Sequence, residues 1–109
     1  MANTFKLKTK ANVGVTTVGI YTAPASTTTV VIGITLANTS GSGVNVGVGI
    51  TRAGTTEDVK LLKNAPIPQG SSLEFMCGNK VVLEETDTVT VDSDTNNSVD
   101  ASLTIMEIT

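Results

Sequence analysis

Apolar residues recur at every second position in short runs along the whole chain, and Gly, Asn, Ser and Pro separate the runs. A period of two is the spacing of a strand with one face turned inward, so the pattern predicts strands throughout and no helix. The runs are rich in Val, Ile and Thr, whose branching at Cβ suits a pleated strand better than a helix.

The first run, "TFKLKTK", sets Phe5 and Leu7 on one side and Lys6, Lys8 and Lys10 on the other. This reads as an edge strand whose lysines discourage stray pairing, or as an extended arm over residues 1–12. In "VGVTTVGIYT", Val13 and Val15 fall out of phase with Val18 and Ile20, which predicts a bulge near Thr16–Thr17. "TTTVVIGITLAN" places Val30, Ile32, Ile34 and Leu36 on one face, with Val31, Gly33 and Thr35 on the other. "VNVGVGITR" turns Val44, Val46, Val48 and Ile50 inward. The turn signal "NTSGSG" between these two runs predicts a hairpin.

Beyond a polar loop, a strand around Val59–Leu62 leads into "NAPIPQGSSLEF". Pro66 and Pro68 cannot donate to a central ladder, so this stretch belongs at a sheet edge or outside the sheet, as a corner between sheets. "SSLEFMC" then carries Leu73 and Phe75 in phase, and "GNK" reads as a tight turn. "KVVLEETDTVTV" holds a short strand, an acidic corner at Glu84–Asp87 and a strand with Val89 and Val91. After the turn "DSDTNNS", the last run has Leu103 and Ile105 in one phase and Met106 and Ile108 in the other. Eight or nine short strands with turns between them indicate an all-β antiparallel sandwich, jelly-roll-like, spanning residues 1–109 as a single domain.

With 109 residues, 3% aromatic content and no Trp, the core must rest on Val, Ile, Leu and Thr. Such side chains bury little area each, so association with further copies would help. The net charge of −3 argues against nucleic acid as a partner. No run approaches the length of a membrane span, and the N-terminal residues lack a signal-peptide core, which predicts a soluble protein made in the cytosol. A single cysteine, Cys77, allows no disulfide within the chain. Histidine is absent, which removes the commonest general base, zinc ligand and nucleophile partner. No enzyme and no cofactor are expected.

Several stretches invite chemistry. Asp92, Asp94, Asn96 and Asp100 fall at positions 1, 3, 5 and 9 of a calcium loop. Asn97 stands where that loop needs Gly, and Leu103 where it needs Glu, so a solvated hairpin turn is the stronger reading. Cys77 has no histidine to activate it and reads as a small buried residue. Glu84 and Glu85 point to opposite faces if extended, which suits turn chemistry rather than an acid–base pair. The glycines of "GSGVNVGVGI" lack the Lys of a phosphate loop.

Two features point to partners. Seven acidic residues and no basic one lie from Glu84 onward, while three of the seven basic residues crowd positions 6–10. Lys6, Lys8 and Lys10 are therefore candidates for registration on a negatively charged neighbour. Pro66, Ile67 and Pro68 form a candidate preorganised contact loop. The last strand ends apolar in both phases, so either a bulge restores its register or both its faces are covered. Ile105, Met106 and Ile108 are the candidate oligomer interface, and Val31 is a further outward hydrophobe.

The stretches "YTAPASTTTVVIGITLAN", "KNAPIPQGSSLEF" and "GNKVVLEETDTVTVDSDTNNSVDASLTIMEIT" resemble small Thr-rich virion structural proteins of tailed bacteriophages, notably marine and cyanobacterial ones. The resemblance implies a β-sandwich that is part of the virion and assembles in the host bacterial cytoplasm. It implies a capsid decoration (cement) protein that docks on the major capsid protein or another virion protein, with a homotrimer as the favoured form. A tail, neck, baseplate or fibre component is the alternative. A receptor- or carbohydrate-binding module comes next, although Tyr21 is the one candidate for stacking a sugar at its surface.

Overall fold

The computed structural model describes residues 3–54, 58–75 and 80–109. Nine strands form in these residues: β1 Asn3–Val13, β2 Val18–Thr22, β3 Thr28–Asn38, β4 Val44–Thr51, β5 Asp58–Ile67, β6 Ser72–Phe75, β7 Val81–Leu83, β8 Thr88–Ser93 and β9 Val99–Ile108. They make two antiparallel sheets. The first has the order β1-β9-β3-β6, with β7 also on β3, and the second has the order β2-β8-β4-β5. Strands β6 and β7 pair with opposite halves of β3, so they behave as one interrupted edge strand. Counted that way, the architecture is an eight-stranded jelly roll of two four-stranded sheets.

The chain changes sheet at nearly every turn, and this corrects the hairpin expected from "NTSGSG". β3 lies in the first sheet and β4 in the second, so that turn crosses the sandwich. "DSDTNNS" likewise crosses from β8 to β9 instead of closing a hairpin. The bulge expected at Thr16–Thr17 is a crossing bend, while the register slips within β2 between Gly19 and Tyr21. β6 and β7 do not form the hairpin implied by "GNK", and Cys77 with the core of that turn lies outside the described residues.

The proline-rich stretch does what its residues require. β5 is the free edge of its sheet, where a missing N–H breaks no ladder, and the chain then turns at Gly70 (φ 72°) into β6 of the other sheet. Buried Asn38 fastens this corner: its Nδ2 donates to Ile67 O (2.9 Å), Pro68 O (3.2 Å) and Ser42 O (2.8 Å).

Between the sheets lies an aliphatic core whose largest fully buried side chains are Ile34, Leu36, Ile67, Leu83, Leu103 and Ile105. One sequence assignment reverses here, and one that the alternation left open is decided. β3 carries one extra residue between Val31 and Gly33, so Val31 turns inward with Ile34 and Leu36, leaving Val30 and Ile32 outside. In β1, Lys6, Lys8 and Lys10 stand opposite Ile105, Leu103 and Ala101 of the inner face, so the lysines and not Phe5 and Leu7 point toward the interior.

Candidate functional site

Inward lysines are tolerable because β1 is an edge strand, where a long stem can lie along the open side of the core with its ammonium in water. Lys6 Nζ meets Glu107 Oε1 at 2.8 Å. The other oxygen of Glu107 accepts the Tyr21 hydroxyl at 2.6 Å, and that hydroxyl also lies 2.8 Å from Thr29 Oγ1. Tyr21 and Glu107 are each 7% exposed, so the cluster ties β2 of one sheet to β9 and β3 of the other inside the sandwich. Hydrogen bonds from Lys6 and Tyr21 hold the Glu107 carboxyl below the usual range, against the opposing effect of burial. Burial, followed by the Glu107 hydrogen bond, pushes the Tyr21 hydroxyl up to about 12. This arrangement is a brace closed to substrate, and it occupies Lys6 within its own subunit.

A second carboxylate organises the acidic corner. Asp87 is 2% exposed; its Oδ1 accepts Ala53 N–H (2.9 Å) and Arg52 Nε–H (3.2 Å), and its Oδ2 accepts Glu84 N–H (3.0 Å). Burial pushes Asp87 up, but these donors together outweigh it and hold the carboxyl low. Arg52 also pairs with Glu84, and Glu85 accepts Ser26 N–H at 2.7 Å. The carboxylates of this corner thus serve turn chemistry, as their spacing suggested.

The calcium-loop candidates disperse. Asp92 accepts Thr17 Oγ1–H (3.0 Å), Asp94 accepts Asn45 N–H (3.1 Å), Asn96 accepts Val15 N–H (3.3 Å) and Asp100 accepts Asn12 N–H (3.0 Å). Asp92 and Asn96 serve the bend between β1 and β2, Asp94 serves β4 and Asp100 serves β1, so the oxygens do not converge on one point. Among the described residues, no group of three or more acidic or Cys side chains could hold a metal ion.

The partner candidates divide in the same way. Ile67 and Ile105 are at most 1% exposed and belong to the core, so neither contributes to a surface contact, whereas Pro66, Pro68 and Lys10 are exposed. Met106 and Ile108 lie half-buried on the outer face of β9. The strand runs in unbroken register with β1 from Ile108 to Ala101, so its C-terminal end is apolar on both faces without a bulge.

That outer face gathers Val30, which the sequence pattern set on the inner face, with residues whose face the pattern left open. Phe5, Met106, Val30 and Val82 stand opposite one another across β1, β9, β3 and β7, forming one apolar row. Phe5 is 68% exposed, Leu7 65% and Val82 58%. Flanking rows add Ile108 beside Asn3 and Thr28, and Leu7 beside Thr104 and Gly33. Glu74 and Asp100 bring charge only toward the other end of the face, opposite Thr35 and Ala37. The outer face of the second sheet is of a different kind: Lys60 lies 3.1 Å from Asp58 and 3.9 Å from Asp92, and Thr22 bonds Thr88. One face is built for water; the other carries side chains that water does not favour. The signal available in the sequence was the regular apolar alternation of β1, which carries no sign telling inside from outside.

No protein-family model matches the chain, and no curated protein does. Solved structures match it in fold. A chain of the disulfide-linked pili of Bacillus endospore appendages superposes with a TM-score of 0.60 at 17% identity, covering 99% of this chain and 87% of that one. A chain of the acidic stable capsid of Helicobacter pylori bacteriophage KHP30 gives 0.57 at 11% identity, covering 98% and 87%. A chain of the cyanophage Pam1 capsid reaches 0.41 at 10% identity over 96% and 84%, too low to carry an argument. At these identities the likeness is one of fold: this jelly roll is similar to sandwiches found in a phage capsid and in a bacterial pilus.

Proposed function

We propose that this chain is a non-enzymatic structural subunit of a phage virion, and within it a decoration (cement) protein that docks on the head and braces capsomer contacts. The observation that carries the reading is the contrast between the two outer faces. A sandwich whose first sheet presents an exposed apolar row, with charge only toward one end of the face, while its second presents ion pairs is built to be covered on one side. The fold likeness to the KHP30 capsid chain supports the same reading. The buried polar groups add to it, because Glu107 and Asp87 are spent on bracing rather than aimed into a cleft. Exposed Lys10, Pro66 and Pro68 are the residues proposed to meet the major capsid protein. Weak individual contacts would gain strength from many copies on one shell.

A tail or neck component is the second reading, favoured by the higher fold similarity to a pilus chain, which comes from a polymer of subunits. Immunogold labelling of intact virions with antiserum to this chain decides between the two. Gold over heads supports decoration, gold over tails or necks supports the alternative, and particles without label overturn both.

A further inference from the structure

Two glycines of β4 leave a trough on the outer face of the second sheet, and oxygens lean into it from both sides. Val44, Val46, Val48 and Ile50 are the core residues of β4, so Gly47 and Gly49 stand on its outward parity. A Cβ at Gly49 would lie 2.9 Å from Asp58 Oδ1, 3.0 Å from Val59 O and 3.2 Å from Thr90 Oγ1. At Gly47 it would lie 2.6 Å from Asp92 Oδ1 and 3.4 Å from Leu62 O. Asp58, Val59 and Leu62 belong to β5, Thr90 and Asp92 to β8, and β4 runs between those strands. We infer that this trough is a calcium site, with the Asp58 and Asp92 carboxylates, Val59 O and the Thr90 hydroxyl as its protein ligands. The inference goes beyond the virion reading and does not rest on it.

Thr90 is the residue that points to a ligand. It is 7% exposed, and among the described residues its Oγ1 is the one buried side-chain polar atom without a hydrogen-bond partner. A buried hydroxyl in that state is costly, and this one is aimed at the space shared with a carboxylate and a carbonyl oxygen. The two carboxylates are disposed to match. Lys60 Nζ lies 3.1 Å from Asp58 Oδ2 and 3.9 Å from Asp92 Oδ2, and Thr17 Oγ1 donates to that same Asp92 atom (3.0 Å). The Oδ2 atoms are thereby taken on both side chains, while both Oδ1 atoms remain over the glycines.

The donor set selects the ion. Every group is a hard oxygen, with no imidazole or thiolate, which suits calcium or magnesium rather than zinc or copper. Oxygens gathered from two strands on an irregular outline favour calcium, whose coordination is flexible, over octahedral magnesium. Two carboxylates are fewer than an all-acidic site needs; the hydroxyl, the carbonyl and water supply the rest. Two carboxylates beside one ammonium leave a single negative charge, so binding should be weak, with Kd on the order of 0.1–1 mM. A bound ion would fasten β5, a free edge whose register slips twice against β4, to β8.

The test is calorimetric titration of the purified full chain with calcium chloride after chelator treatment, with melting midpoints measured alongside. One site in that range is expected, with a midpoint that rises with calcium and rises less with magnesium. Asp58→Asn and Asp92→Asn should weaken binding by about 10-fold or more, and Thr90→Val by about 3-fold or more. Lys60→Gln removes a competing positive charge and should tighten binding by about 3-fold or more. Asp94→Asn, whose side chain serves β4 from the turn after β8, should bind as the parent does. Thr90→Val and Lys60→Gln are mild changes, and circular dichroism confirms the fold of each variant. No heat and no midpoint change up to about 10 mM calcium would overturn the inference. So would an equal loss in Asp94→Asn, parent affinity in Thr90→Val, or weakened binding in Lys60→Gln. None of these results depends on labelling a virion, so this proposal and the virion reading can fail separately.

Discussion

The Tyr21 hydroxyl donates to Glu107 Oε2 over 2.6 Å, joining the two sheets through a hydrogen bond to a buried carboxylate. A charge-assisted bond of this kind is worth more than a neutral one, and its loss would leave Glu107 and Thr29 short of a partner. Tyr21→Phe should therefore cost about 1–3 kcal/mol. For a domain of this size each kcal/mol lowers the melting temperature by about 4–8 °C, readable by calorimetry.

Tyr21 is the one tyrosine of the chain and there is no tryptophan, so its ionisation can be followed directly by ultraviolet absorbance. Burial raises its value from 10.0 to about 12 in the folded protein. A group whose folded value lies above its unfolded value stabilises the fold fully below the unfolded value, and that contribution is lost as pH rises through the folded one. Stability should fall between pH 10.0 and about 12, with the absorbance step near the upper figure. A step near 10.0 in folded protein would contradict the buried placement.

Glu107 has the opposite sign. Its folded value lies below the ordinary 4.5, so its contribution is present above 4.5 and disappears as pH falls through the lower folded value. Glu107→Gln keeps an acceptor for Tyr21 but removes the charge facing Lys6. It should cost about 1–2 kcal/mol at neutral pH and flatten the acid limb of a melting-temperature profile. Asp87, also held low, should keep part of that slope.

Thr86 sits at φ 64°, in the left-handed region, where a β-branched side chain is strained. The turn holds it there through Thr86 N–H to Ala23 O (2.8 Å) and Asp87 N–H to Glu84 O (3.1 Å). Thr86→Asn retains both bonds with a residue that tolerates this conformation, so denaturant titration should show a gain of about 1 kcal/mol.

Ile105 and Ile108, two of three residues of one expected interface, should respond differently. Ile105 is fully buried, so Ile105→Ala should cost about 2–5 kcal/mol of folding stability. Ile108 is half-buried on the outer face, and Ile108→Ala should cost well under half as much.

Strand content, the all-β class and the edge position of the proline stretch were legible in the sequence, because they follow from local chemistry. Alternation at a period of two, glycine in tight turns and the missing N–H of Pro66 and Pro68 constrain the backbone wherever it goes. Turn chemistry at Glu84–Asp87 was legible for the same reason. Which sheet each strand joins was not, since "NTSGSG" suits a crossing turn as well as a hairpin.

Local chemistry along the chain thus dictates the kind of element at each place, whereas long-range strand pairing dictates which side of each element counts as inside. "VVIGI" is apolar at both parities, so its register waits on β9, and the extra residue beside Gly33 sends Val31 inward and Ile32 outward. "TFKLKTK" has clear parity but no sign. At a sheet edge, lysine stems can lie over the core while their charges reach water, and buried Glu107 rewards Lys6 for doing so. Phe5 and Leu7 are left on the outside as a consequence, and the candidate assembly face exists because of that long-range pairing.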